Sequence, residues 1–160
     1  MGIYTQSEIA VLVGMPKSLL KNWTIGRPLK IMPSERTARG KGSPNLYSRQ
    51  DIYVIALAYE LSKCGLALEH ISSVLEWARN KIANNQADFA AMRWIIIEFN
   101  KGQIVIRTYE EEILPEVALQ AMPDRIQGEI VLVRYVVKIF LLVEKINDKI
   151  VKHEGELQGV

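Results

Sequence analysis

Apolar positions in the first half of the chain recur at intervals of three and four, interrupted by short polar or glycine-containing breaks. This is the period of amphipathic helices. Thr5-Gln6-Ser7-Glu8 forms a capping-box pattern, in which a hydroxyl and a carboxylate satisfy free backbone donors, so a helix is predicted from Gln6. Ile9, Leu12 and Val13 make its inner stripe, and Gly14 follows where a left-handed cap ends a helix. Pro16 stands where a second helix would start; Leu19, Leu20 and Trp23 face inward, and Lys17, Ser18, Lys21 and Asn22 outward. Two short helices joined at Gly14 make a helix-turn-helix.

Over residues 25–45 the period disappears. Gly26, Pro28, Pro33, Gly40, Gly42 and Pro44 alternate with Arg27, Lys30, Arg36, Arg39 and Lys41, which reads as a basic loop or wing. Ser48-Arg49-Gln50-Asp51 opens a third helix carrying Ile52, Ile55, Ala56, Tyr59 and Leu61 to a stop at Gly65. Leu68, Ile71, Val74, Leu75 and Ala78 predict a fourth helix to about Ile82, and Asn84-Asn85-Gln86 a hinge.

The second half differs. Residues 93–99 and 103–109 are β-branched and aromatic runs around Asn100-Lys101-Gly102, a hairpin signal. Further on, Leu132, Val136, Ile139, Val143, Ile146, Ile150 and His153 alternate spacings of four and three. That is a heptad seam, predicting a long final helix that pairs with a second copy. Val133, Val137 and Phe140 widen the stripe, so packing on the hairpin is also open. The expected class is mainly α (α+β): a head over residues 1–82, and a hairpin plus dimerisation helix over residues 83–160.

Charge sharpens this division. Residues 1–63 hold nine Lys and Arg against four Asp and Glu, and the remainder eleven against fourteen, although the whole chain is only +2. A basic first half fits a nucleic-acid partner. The longest apolar run, residues 130–143, is broken by Arg134 and Lys138 and is too short to span a bilayer; no secretory pattern opens the sequence. The expectation is a cytoplasmic protein without a membrane partner. One cysteine, Cys64, permits no internal disulfide, and with His70 and His153 it forms no metal-ligand spacing. It reads as a small buried hydrophobe. Glu110-Glu111-Glu112 reads as a solvated turn and His153 as an exposed terminal residue. With no nucleophilic triad, phosphate loop or metal-hydrolase pattern, the sequence predicts neither an enzyme nor a cofactor.

The order of motifs carries a resemblance. Tyr4-Thr5, Ile9-Ala10, Gly14-Met15 and Leu20-Lys21-Asn22-Trp23, followed by Leu46-Tyr47-Ser48, Asp51-Ile52, Leu61, Cys64-Gly65-Leu66, Leu68, Ile71 and Leu75, resemble the opening of bacterial MerR-family winged helix-turn-helix regulators. The likeness covers residues 3–76, about half of the chain. It implies that the helix over residues 16–24 enters the major groove, that the wing touches the flanking backbone, that the final helices pair antiparallel, and that a promoter is distorted between its polymerase-contact elements. Two positions depart from the pattern: Lys21 and Asn45 stand where the family usually has arginine, and lysine lacks arginine's bidentate fork. The wing is also several residues longer than usual.

The candidate DNA contacts are Thr5, Lys17, Ser18, Lys21, Asn22, Trp23, Arg27, Arg36, Arg39, Lys41, Tyr47 and Arg49. Lys17, Ser18 and Asn22 suit base edges, and the basic residues suit phosphates. Trp23 reads as a core aromatic or a backbone contact, and Tyr47 as a phosphate donor or an anchor for the wing. The candidate dimer contacts are Leu132, Val136, Ile139, Val143, Ile146 and Ile150. The functional expectation is a homodimeric, sequence-specific transcriptional regulator on a near-palindromic double-stranded site, with RNA polymerase and a small-molecule effector left open as partners. The alternative is an architectural or partner-recruiting protein that binds DNA with weak sequence preference.

Overall fold

The computed structural model describes residues 2–26, 29–36, 43–83, 94–100, 103–109, 125–126, 129–130 and 133–158. The chain is α+β, five helices with small antiparallel sheets among the described residues, and it divides into two compact units. The first joins Met1–Asn80 to Leu142–Val160; the second is Lys81–Leu141.

In the first unit, β1 (Ile3–Thr5) runs into α1 (Gln6–Val13) through the expected capping box. Glu8 N donates to the Thr5 hydroxyl at 3.4 Å, and Thr5 N donates to the Glu8 carboxylate at 2.7 Å. Gly14 ends α1 at φ 77°, a left-handed conformation that costs an L side chain energy but glycine none. Then α2 (Lys17–Ile25) follows, with Pro16 as its N-cap rather than its first helical residue. β2 (Leu46–Ser48) pairs antiparallel with β1 in the register Tyr4↔Tyr47. It leads into α3 (Arg49–Lys63), whose own capping box joins Ser48 and Asp51, and then α4 (Leu68–Ala83). The core gathers Ile9, Leu12, Leu20, Trp23, Tyr47, Ile52, Ile55, Leu57, Leu61, Ile71, Val74 and Ala78, all buried. Cys64 caps α3 and is exposed, against the buried position expected for it.

Between α2 and β2 the chain is not structureless. Leu29, Ile31 and Pro33 are buried while Lys30, Met32 and Ser34 are exposed, the alternation of an extended segment. Ile31 N donates to the Trp23 carbonyl at 2.8 Å, and Arg36 bridges Leu46 through Leu46 N to Arg36 O at 2.8 Å.

The second unit holds β3 (Trp94–Asn100), β4 (Gln103–Tyr109) and β7 (Val133–Lys138) as an antiparallel sheet in the order β4-β3-β7, with β5 (Arg125–Ile126) and β6 (Glu129–Ile130) as a separate pair. The hairpin of β3 and β4 matches the sequence reading. The third strand does not, because it occupies part of the segment assigned to the final helix. Central β3 buries Ile95, Ile96, Ile97 and Glu98 in succession; the Glu98 carboxylate, fully buried, takes an ion pair from Arg107 Nε at 3.2 Å. A buried charge requires such a partner.

α5 (Ile139–Gln158) is therefore shorter than the expected helix. Val136 lies in β7 opposite Ile96, and Leu132 lies outside the described residues. The remaining seam residues Ile139, Val143, Ile146 and Ile150 are 0–8% exposed within a single chain, as is neighbouring Leu142. The C-terminal part of α5 belongs to the first unit, so its apolar face is occupied by the head and is not an open surface for a second copy. Polar ties flank that face. Asn147 Oδ1 accepts from Tyr53 Oη at 2.6 Å and from Arg49 at 2.7 Å; Lys149 Nζ donates to the Leu12 carbonyl at 2.8 Å; Tyr4 Oη donates to Glu154 at 2.7 Å; and His153 Nε2 lies 3.4 Å from Glu8. His153 is thus half-buried on the head rather than frayed. α1 has no basic residue in its last turn, and Lys149 supplies from α5 the cation that a helix C-terminus favours. No helix among the described residues is long and apolar enough to cross a membrane.

Candidate nucleic-acid interface

α2 is divided lengthwise. Leu20, Trp23 and Thr24 are buried, whereas Lys17, Ser18, Lys21, Asn22 and Ile25 are exposed on the other side. The outward positions fall at i, i+1, i+4, i+5 and i+8, so they share one face and are presented together. The helix sequence contains no acidic residue. Its N-cap, Pro16, offers no side-chain acceptor and its first turn holds no acidic residue, so among the described residues no carboxylate caps the positive end of the helix dipole.

The buried side fixes the helix in orientation. Thr24 Oγ1 donates to the Leu20 carbonyl at 2.9 Å and lies 3.2 Å from Tyr47 Oη. Tyr47 is fully buried on β2, and burial pushes its phenol above the ordinary value despite the hydrogen bonds with Thr24 and Asn45. Tyr47 thus takes the anchoring role of the two open to it, and its hydroxyl is not presented to a ligand. Trp23, 4% exposed, is likewise a core aromatic. Gly26 closes the helix with the Asn22 carbonyl so near that a Cβ would collide with it, which requires glycine there although its φ is an ordinary −80°.

The loop after α2 is pinned at its base by Asp51. This buried carboxylate accepts from Ser34 N at 3.0 Å, Ser34 Oγ at 2.5 Å and Ser48 N at 2.9 Å, so one side chain caps α3 and holds the loop. Glu35 N and Arg36 N both approach the Leu46 carbonyl, at 3.2 and 3.1 Å. Arg36 is exposed where the loop leaves this bridge.

Of the twelve candidate contacts, Lys17, Ser18, Lys21 and Asn22 are brought together on α2, and Arg36 is exposed at the loop base. Trp23 and Tyr47 face the core. Thr5 is engaged in the cap of α1, and its hydroxyl also meets Glu8 Oε2 at 2.7 Å. Arg49 is exposed but directs its guanidinium to Tyr53 and Asn147. Arg27, Arg39 and Lys41 lie outside the described residues. Lys30 was not among the candidates. It is exposed between buried Leu29 and Ile31, and the alternation at residues 29–33 is the signal that would have singled it out. Of the residues that position the loop, Asp51 was visible only as part of a helix start, and Ser34 carried no signal in the sequence.

No group of His, Cys, Asp and Glu suited to a metal ion occurs among the described residues. Neither protein-family models nor curated proteins give a match to this chain.

Proposed function

We propose that the chain is a sequence-specific transcriptional regulator that binds double-stranded DNA through the outward face of α2. The observation that carries this reading is that face itself: Lys17, Ser18, Lys21 and Asn22 exposed together on an acid-free helix whose opposite side is locked into the core. An α-helix is about 10–12 Å across, and the major groove of B-DNA is about 12 Å wide. Asn22 suits the adenine N6/N7 edge, Lys17 guanine O6/N7, and Ser18 either type of base; Lys21 and Arg36 suit phosphate oxygens. The free N–H groups at the start of α2 favour a phosphate as well. The basic loop and the resemblance of residues 3–76 to MerR-family heads support the same reading.

One short helix reads only a few base pairs, so two heads on a near-palindromic site remain part of the proposal. Because Val143, Ile146 and Ile150 are buried within a single chain, the pairing proposed here uses another surface. Selection of bound duplexes from a random library, carried out at two salt concentrations, tests the reading. Enrichment of a near-palindromic motif is expected. Salt-sensitive retention without a motif would replace specific regulation by an architectural role, and no retention at low salt would overturn DNA binding altogether.

A further inference from the structure

A groove of about 230 Å³ runs between α1 and the last turns of α5, lined by Val11, Leu12, Lys149, Lys152, His153 and Glu156. Val11, 71% exposed, gives it an apolar wall that no described residue covers. Its polar end is rich in cations. Lys149 Nζ carries three donors, of which one goes to the Leu12 carbonyl, and the others have no acceptor among the described residues. Burial, with Lys145 one turn away, holds this ammonium below its ordinary value, as expected of a cation lacking a counter-charge. Lys152 is exposed one turn further and makes no ion pair among the described residues.

The neighbouring acids do not neutralise this cluster. Glu8 is taken by Thr5 and His153, and Glu154 by Tyr4. Glu156 stands on the groove wall, and Asp148 is exposed four residues before Lys152, neither within ion-pair distance of a described cation.

We infer that this groove binds a small organic monocarboxylate, its carboxylate between Lys149 and Lys152 and its apolar body against Val11. The volume suits a single ring or a short chain. Lys149 and Lys152 against Glu156 leave the groove lining with about one unit of net positive charge, which a single carboxylate balances. The inference does not rest on DNA binding by α2, because its test reads ligand binding alone.

Benzoate is the probe, with benzyl alcohol as its neutral counterpart of similar shape, followed by backbone amide chemical shifts of the full chain. Saturable shifts with benzoate are expected around Val11, Leu12, Lys149 and Lys152, with a Kd on the order of 1 mM for a ligand this small in an open groove. Val11→Trp, which fills the groove, should abolish them; the exposed Lys152→Gln should weaken binding by about threefold and decides the matter if Val11→Trp does not fold. Linear, non-saturating shifts, equal binding of benzyl alcohol, or benzoate binding unchanged in the variants would overturn the proposal.

Discussion

Replacing Ile150 by alanine probes the packing that most alters the expected architecture. Ile150 is 0% exposed on α5, within the unit that contains the head. Truncating a fully buried isoleucine to alanine costs about 2–5 kcal/mol, from lost transfer energy and the cavity left behind. A mid-range value of about 3 kcal/mol, divided by a urea m-value of about 1.5 kcal/mol/M, moves the unfolding midpoint down by about 2 M. Since tertiary packing of an apolar face supplies most of a helix's stability in a protein, α5 should lose its helical signal in the same transition as the head. The assay is urea unfolding followed by circular dichroism and tryptophan fluorescence, with sedimentation alongside. If the contact lies within one chain, the variant self-associates as the wild type does in sedimentation; a contact between copies would weaken self-association in the variant. A shift below about 0.5 M, or weakened self-association in the variant, would refute the reasoning.

Other perturbations test individual contacts. Tyr47→Phe should cost about 1 kcal/mol by removing the hydroxyl that meets Thr24, measured by urea unfolding, and should leave DNA affinity unchanged; a loss of affinity without a loss of stability would return Tyr47 to the interface. Burial raises the carboxyl of Glu8, but hydrogen bonds from Thr5 and His153 outweigh it and hold the group below its ordinary 4.5. Its contribution is therefore present above that pH and lost as pH falls through the lower folded value, so Glu8→Gln should flatten the acid limb of the stability profile. Tyr4 is shifted the other way. Burial and the Glu154 hydrogen bond push its phenol up from 10.0 to about 12. The stability linked to its neutral phenol is full below pH 10 and is lost as pH rises toward 12, and Tyr4→Phe should remove that alkaline dependence in thermal melts.

Local signals in the first half were legible because each one has a short-range physical cause. The capping box at Thr5, the helix start at Ser48 and the left-handed glycine after α1 are decided within four residues, and the structure has all three. The outward face of α2 was legible from helical spacing alone. The segment at residues 29–33 was not legible because its period-two alternation, which buries Leu29 and Ile31, is only five residues long and lies in a loop rich in proline and glycine. The final helix was overextended for a different reason. Leu132 and Val136 happen to continue the spacing of Ile139 and Val143, but the run Val133-Arg134-Tyr135-Val136-Val137 is β-branched and aromatic, and strand pairing with β3 prevails there. A heptad spacing also does not say whose surface covers it. The face containing Ile146 and Ile150 is satisfied by the chain's own head, and the ties from Tyr4, Leu12, Tyr53 and Glu8 to α5 span more than ninety residues, beyond the reach of periodicity.

The central claim is that the cationic face of α2 meets DNA. Its most direct test is the salt dependence of binding to a mixed-sequence duplex, measured by fluorescence anisotropy for the wild type and for Lys21→Ala. Binding at low salt is expected, with the slope of log Kobs against log salt shallower by about 0.9 in the variant, the loss of one phosphate contact, and with unfolding unchanged. No binding at low salt, or identical slopes for the two proteins, would contradict it.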